Sequence, residues 1–212
     1  MNRLTTTLAP ALSLFRRTVA LVLATSILAS CAPPDRPAAL DPVVVFLVRH
    51  AERAEDGTSD PPISQAGEER SRLLARMLAD ADLTHIHTTA YIRTRATGAP
   101  TAEVTGLQMS LYDAADLEGF ARQLRFTPGR HLVLGHSNTT PDLVAALGGD
   151  PGSPIDEMEY DRLYVVTITR GAADLTAAPA DLAAVTADGE DQPGPAPRAS
   201  TVLLRFGDPY RD

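Results

Sequence analysis

Arg49 and His50 stand at the end of an apolar run, Val43 to Val48, and set an imidazole beside a fixed cation. A short, β-branched run of this kind reads as a strand buried on both faces. The carboxyl end of such a strand is where α/β sheets bind ligands. Two later segments supply matching parts: Thr89-Ala-Tyr-Ile-Arg93 and Gly135-His136-Ser137-Asn138-Thr139. Two Arg and two His at strand ends suit a dianionic phosphoryl group. Each guanidinium can grip phosphate oxygens with a planar fork. A neutral imidazole can attack phosphorus, and the neighbouring cations disfavour its protonation. A second imidazole can donate to the oxygens as charge spreads in the transition state.

The surrounding elements must bring these residues together. The pattern predicts an α/β fold with three layers: a mostly parallel central sheet flanked by helices. Strands are expected at Val43–Val48, Leu83–Thr88, His131–Leu134, Arg162–Thr169 and Thr201–Arg205. Ser64 is a plausible N-cap for a helix to about Asp80, with Leu73, Leu74, Met77 and Leu78 as its core stripe. A helix from about Ile92 to Thr97 should stop near Pro100. Asp113 to Leu124 has a helical pattern in Leu117, Phe120, Ala121 and Leu124. Thr140-Pro141 opens a helix with proline at its first position, and Gly148 closes it. Gly171 to Ser200, rich in Ala, Pro, Asp and Gly, reads as a low-complexity insertion between two paired strands.

Other candidates have plainer readings. Alone, His50 is as readily an imidazole satisfied by a backbone carbonyl; beside the other segments it reads as chemical. Arg53 could extend the phosphate site, although a solvated loop residue is the simpler reading. His85 and His87 share a strand face but lack a further ligand set, so they read as structural, as does His131. Arg95, and the group Arg70, Arg72 and Arg76 with Glu68 and Glu69, read as solvated helix surface.

With 212 residues, 44% of them hydrophobic, the chain can bury one sizeable core. All 19 basic residues are Arg, and the formal net charge is −8. That balance argues against a nucleic-acid partner. A single cysteine, Cys31, excludes an internal disulfide and a multi-thiolate zinc site.

The N-terminus reads as a signal rather than part of the fold. Arg3, Arg16 and Arg17 precede an apolar stretch, Thr18 to Ala29, too short to span a bilayer comfortably. Leu28-Ala29-Ser30-Cys31 resembles the bacterial lipobox, in which the cysteine is lipidated and becomes the new N-terminus. Cleavage before Cys31 would leave 16 Arg against 27 acids, a net of −11. Residues 1–30 would be the signal peptide, 31–41 a Pro-rich tether, and 42–212 the folded domain. Ala32 lacks the acidic character of an inner-membrane retention signal. The resemblance therefore points to the periplasmic face of the outer membrane. Arg16-Arg17 leaves the export route open between Sec and twin-arginine, although its flanks fit the latter poorly.

Four motifs, in order, resemble the histidine phosphatase superfamily, the phosphoglycerate-mutase-like group with an Arg-His-Gly/Ala motif. They are Arg49-His50-Ala51-Glu52, Ile63-Ser64-Gln65-Ala66-Gly67, Thr89 to Thr97, and Gly135 to Thr139. The similarity covers about Val43 to Gly207. It implies His50 as a nucleophile forming a phosphohistidine, with Arg49 and Arg93 binding the phosphoryl group. His136 would hydrogen-bond that group and stabilise the transition state. Water would then hydrolyse the intermediate, with no metal or other cofactor.

Family members often carry an acid that protonates the leaving group. Here Asp113, Asp116 and Glu118 are candidates without a clear motif, and Ser137 stands where one branch carries an aspartate. With no acid, good leaving groups would be favoured, since general-acid help contributes roughly 10²–10⁴-fold. The expected activity is hydrolysis of phosphomonoesters or other phosphoryl groups, on a small molecule or protein, by an enzyme anchored through Cys31. The alternatives are an inactive envelope binding module that keeps the fold and, less favoured for want of the long mutase inserts, a mutase.

Overall fold

The computed structural model describes residues 41–170 and 198–208. The proposed signal peptide, Cys31, nearly all of the tether, and residues 171–197 of the expected insertion lie outside the described residues.

In chain order the elements are β1 (Val43–Arg49), α1 (Gln65–Met77), β2 (His85–Thr88), α2 (Ile92–Thr105), β3 (Met109–Leu111), α3 (Leu117–Phe126), β4 (Arg130–Gly135), α4 (Thr139–Ala146), β5 (Arg162–Thr169) and β6 (Arg198–Arg205). They form one six-stranded sheet in the order β3-β2-β4-β1-β5-β6. Strand β5 alone runs against the others, since it pairs antiparallel with both β1 and β6. Helices cover both faces, which gives the three-layer α/β fold its sequence pattern predicts.

The β1 pattern explains the layers. All seven of its residues are buried. Val43, Val45 and Leu47 point to one face, where they pack with Phe120, Ala121 and Leu124 of α3 and Leu143 and Val144 of α4. Val44, Phe46 and Val48 point to the other, against Leu74 of α1 and Leu78 just beyond it. A strand sandwiched in this way must be apolar at every position.

Several boundaries differ from expectation. Helix α2 runs through Pro100 to Thr105, ending at Gly106 in the left-handed conformation (φ 70°). Burial of Thr97, Gly98 and Thr101 on the helix accompanies its passage through the proline, which costs about 3 kcal/mol in a helix interior. Pro141 is the third residue of α4, not its first. Strand β3 has no apolar signature in the sequence, and only Met109 of its three residues is even partly buried. Strand β6 begins at Arg198, so residues 198–200 belong to the sheet rather than to the insertion. The inward stripe of α1 also differs. Met77 is exposed, while Gly67, Arg70, Ser71, Leu74 and Ala75 are buried.

Candidate active site

The register of β1 against β4 sets the site. Arg49 pairs with Gly135, and the ladder continues through a 2.9 Å hydrogen bond from the His50 amide to the Gly135 carbonyl. Neighbouring parallel strands therefore release His50 and His136 side by side. Their rings lie 5.5 Å apart, nearly edge to face. Gly135 has no room for a side chain. A Cβ there would come within 2.7 Å of the Thr140 hydroxyl and 3.2 Å of the Tyr112 hydroxyl. Strand β2, on the far side of β4, leads into α2, whose second residue is Arg93.

Arg49, His50, Arg93 and His136 line one cleft of about 580 Å³, with Arg53, Tyr91, Ser137 and Glu157 also on its walls. His50 is almost fully buried and its Nδ1 lies 2.8 Å from the Ala51 carbonyl. A carbonyl can only accept, so Nδ1 carries the proton and Nε2 keeps its lone pair. Burial, then the charges of Arg49, Arg93 and His136, push the pKa of His50 down to about 3, against the opposing hydrogen bond to Ala51. Burial and the same two arginines push His136 down to about 4. Both imidazoles are neutral at pH 7.

Each residue is held by its neighbours. The Ala51 amide donates to Thr97 Oγ1 (2.9 Å), and Thr97 donates to the Arg93 carbonyl (2.7 Å). The exit of β1 is thereby tied to the first turn of α2. His136 Nε2 contacts Thr89 Oγ1 (3.1 Å), which contacts Thr94 Oγ1 (2.8 Å). Arg93 lies over the Tyr91 ring and pairs with Asp60 at 3.2 Å; Asp60 also accepts from the Ile92 amide. Arg49 stacks over Tyr160 and donates to the carbonyls of Asp156 (2.8 Å) and Glu159 (3.0 Å). Its Nε is buried without a partner.

The second motif positions this site from outside. Ser64 caps α1 by accepting from the Gly67 amide. A side chain at Gly67 would collide with the Glu52 carbonyl, just past the Arg49-His50 pair. Arg70 is buried and ion-paired with Glu52 at 2.7 Å, which corrects its reading as solvated surface. Arg72 does form a surface pair with Glu68.

The expected acids are engaged elsewhere. Asp113 accepts from the Ala115 amide and Asp116 caps α3 through the Gly119 amide; Glu118 is exposed. None of the three lines the cleft, although Ala114 and Ala115 do. Glu157 is the only carboxylate on the cleft walls among the described residues, and it sits in a loop that carries no motif. Arg53 is half exposed at the rim and paired with Glu157 at 2.9 Å. His85, His87 and His131 stack on one another away from the site, with His87 Nε2 3.1 Å from His131 Nδ1.

Residues 45–116 match the histidine phosphatase superfamily (branch 1). The matched segment runs from β1 to the cap of α3, and so holds Arg49, His50 and Arg93 but not His136. Two curated proteins, each named "Probable phosphoglycerate mutase GpmB", are similar over the same kind of span. The one from Photorhabdus laumondii is 38% identical over 73 residues, 32% of this chain and 34% of that protein. The one from Serratia proteamaculans is 37% identical over 71 residues, 31% and 33% of the two chains. The chain thus matches about a third of the length of these relatives. Among solved structures, a mycobacterial glucosyl-3-phosphoglycerate phosphatase superposes with a TM-score of 0.51 at 12% identity, covering 60% of this chain and 91% of that one. A candidate alpha-ribazole-5′-P phosphatase from Escherichia coli K-12 does so with 0.51 at 15% identity and the same coverage. At these identities the likeness is one of fold, and it is the phosphoglycerate-mutase-like α/β fold.

Proposed function

We propose that this chain hydrolyses phosphoryl groups, phosphomonoesters foremost, through a phosphohistidine formed on His50. The carrying observation is the bond from His50 Nδ1–H to the Ala51 carbonyl, which leaves Nε2 unprotonated in a cleft walled by two guanidiniums. Nε2 attacks phosphorus, the P–O bond to the leaving group breaks, and the phosphoryl group stays on nitrogen. Arg49 and Arg93, both on the cleft walls, bind its oxygens. His136 hydrogen-bonds the same oxygens from the adjacent strand end. Water then attacks phosphorus, the P–N bond breaks, and inorganic phosphate leaves. No metal ion enters these steps.

The substrate is a phosphorylated small molecule or protein whose leaving group departs readily, because Asp113, Asp116 and Glu118 are not on the cleft walls. The lipobox-like segment supports a membrane anchor at Cys31 in the cell envelope, with the active domain outside the cytoplasm. The test of function is hydrolysis of 4-nitrophenyl phosphate by the full chain and by His50→Ala. The variant is expected to lose essentially all turnover; equal turnover would overturn the mechanism. For the anchor, Cys31→Ser should release the protein from membranes, and retention would mean another element holds it there.

A further inference from the structure

The geometry points to Glu157 as the base that activates the water hydrolysing the phosphohistidine. This rests on the reading of His50 as the phosphorylated residue, and it names a group that the resemblance does not supply.

Water must attack phosphorus in line, from the side opposite His50 Nε2. That is the place the leaving group vacates. A proton acceptor is needed there, since a water molecule that keeps both protons is a weak nucleophile. Apart from His50 and His136, which engage the phosphoryl group itself, the polar residues of the walls are Tyr91, Ser137, Asn138, Thr139, three arginines and Glu157, and of these only the carboxylate is a base at neutral pH. Among the described residues Glu157 is the one carboxylate on the walls, and its 71% exposed side chain puts it at the rim.

Its placement is fixed by the phosphoryl site itself. Asp156 to Glu159 is a turn closed by the Glu159 amide on the Asp156 carbonyl (3.1 Å). Glu157 is its first central residue. Arg49 donates to the carbonyls at both ends of that turn. From below, the buried Glu159 carboxylate holds the Asp156 amide (3.1 Å) and is itself bound by Arg162. Arg53 holds the Glu157 carboxylate from the side. The arginine that grips the phosphoryl group therefore also carries the turn that presents the base.

The step balances without a further reactant. Glu157 takes one proton from water, the water oxygen bonds to phosphorus, and the P–N electron pair returns to His50 Nε2. Glu157 then loses its proton to solvent. A carboxylate paired with Arg53 suits this half of the reaction better than protonation of the leaving group in the first half.

Rapid-mixing kinetics of the full chain with 4-nitrophenyl phosphate test this. Glu157→Gln is expected to keep the initial burst of nitrophenolate, to lose roughly 10²-fold in steady-state turnover, and to accumulate acid-labile phosphoenzyme. A burst slowed as much as turnover, with no phosphoenzyme, would overturn the assignment, as would unchanged turnover. Accumulation in Asp113→Asn but not in Glu157→Gln would move the role to Asp113. No phosphoenzyme in any form, with His50→Ala still active, would overturn the phosphohistidine reading on which the assignment stands.

Discussion

The Nδ1 of His50 lies 2.8 Å from the carbonyl oxygen of Ala51, the next residue in the chain. The contact is local, yet it decides which ring nitrogen faces the cleft with a lone pair. It depends on the course of the chain after β1, which the Ala51 amide fixes by donating to Thr97. Nitrogen-15 NMR of the histidines should show His50 as the Nδ1–H tautomer at pH 7. It should stay neutral down to about pH 3, because burial and two arginines oppose the proton. Titration near 6.5, or the Nε2–H tautomer, would contradict the geometry.

Thr97→Val removes the hydroxyl while keeping the shape. The Ala51 amide then has no partner, and an unsatisfied buried donor costs about 1–3 kcal/mol. Urea denaturation should show a loss of that size. Turnover should fall as well, because the chain that sets the His50 ring is no longer tied to α2. A variant equal to wild type in both respects would remove Thr97 from the account.

Glu159 is buried at 7% exposure and binds Arg162 at 2.7 Å, with Arg205 as a further partner. Burial raises the pKa of its carboxyl, but hydrogen bonds from Arg162 and Arg205 bring it down to about 2. Glu159→Ala leaves Arg162 buried without its carboxylate, and breaking such a pair costs about 3–5 kcal/mol. Thermal unfolding should register the loss. Glu157→Ala, two residues earlier in the same turn and exposed, should leave the midpoint nearly unchanged.

Stability should fall in mild acid. Burial pushes His87 and His131 down to about 4, each further lowered by a neighbouring imidazole, although His131 also gains from its hydrogen bond to the Thr127 carbonyl. Unfolded, each returns to about 6.5, so between these values the unfolded chain binds more protons. The contribution is complete above pH 6.5 and is lost as pH falls through the window toward 4. By pH 5 the loss is about 2 kcal/mol for each imidazole. Denaturation midpoints at pH 7.5, 6 and 5 check this, and a flat profile would contradict it.

Much of this was legible in the chain because the signals were local. The uninterrupted apolar run of β1 requires burial on both faces, and Ser64 and Gly148 mark helix ends through their own side chain or backbone freedom. Three of the four motif segments carry Arg49, His50, Arg93 and His136, which the sheet brings to one cleft. What stayed hidden depended on partners distant in sequence. Arg70 looks like a surface residue until Glu52 and the carbonyls of Phe206 and Asp208 meet it. Pro100 reads as a helix stop until burial of the surrounding α2 residues is seen. Glu157 has no neighbouring pattern at all, and only the attachment of its turn to Arg49 brings it to the rim. Thr89 and Thr97 lie in the motif that carries Arg93, four residues to either side of it, and that spacing is the sequence's clue to a positioning role.

Turnover by this route passes through a covalent bond between phosphorus and His50. Rapid acid-free quenching of the full chain with a phosphate-labelled aryl ester, followed by peptide mass spectrometry, reads it directly. An acid-labile, base-stable phosphoryl group is expected on the peptide containing His50 and absent from His50→Ala. Turnover without any such adduct in wild type or Glu157→Gln, or an adduct on another residue, would contradict it.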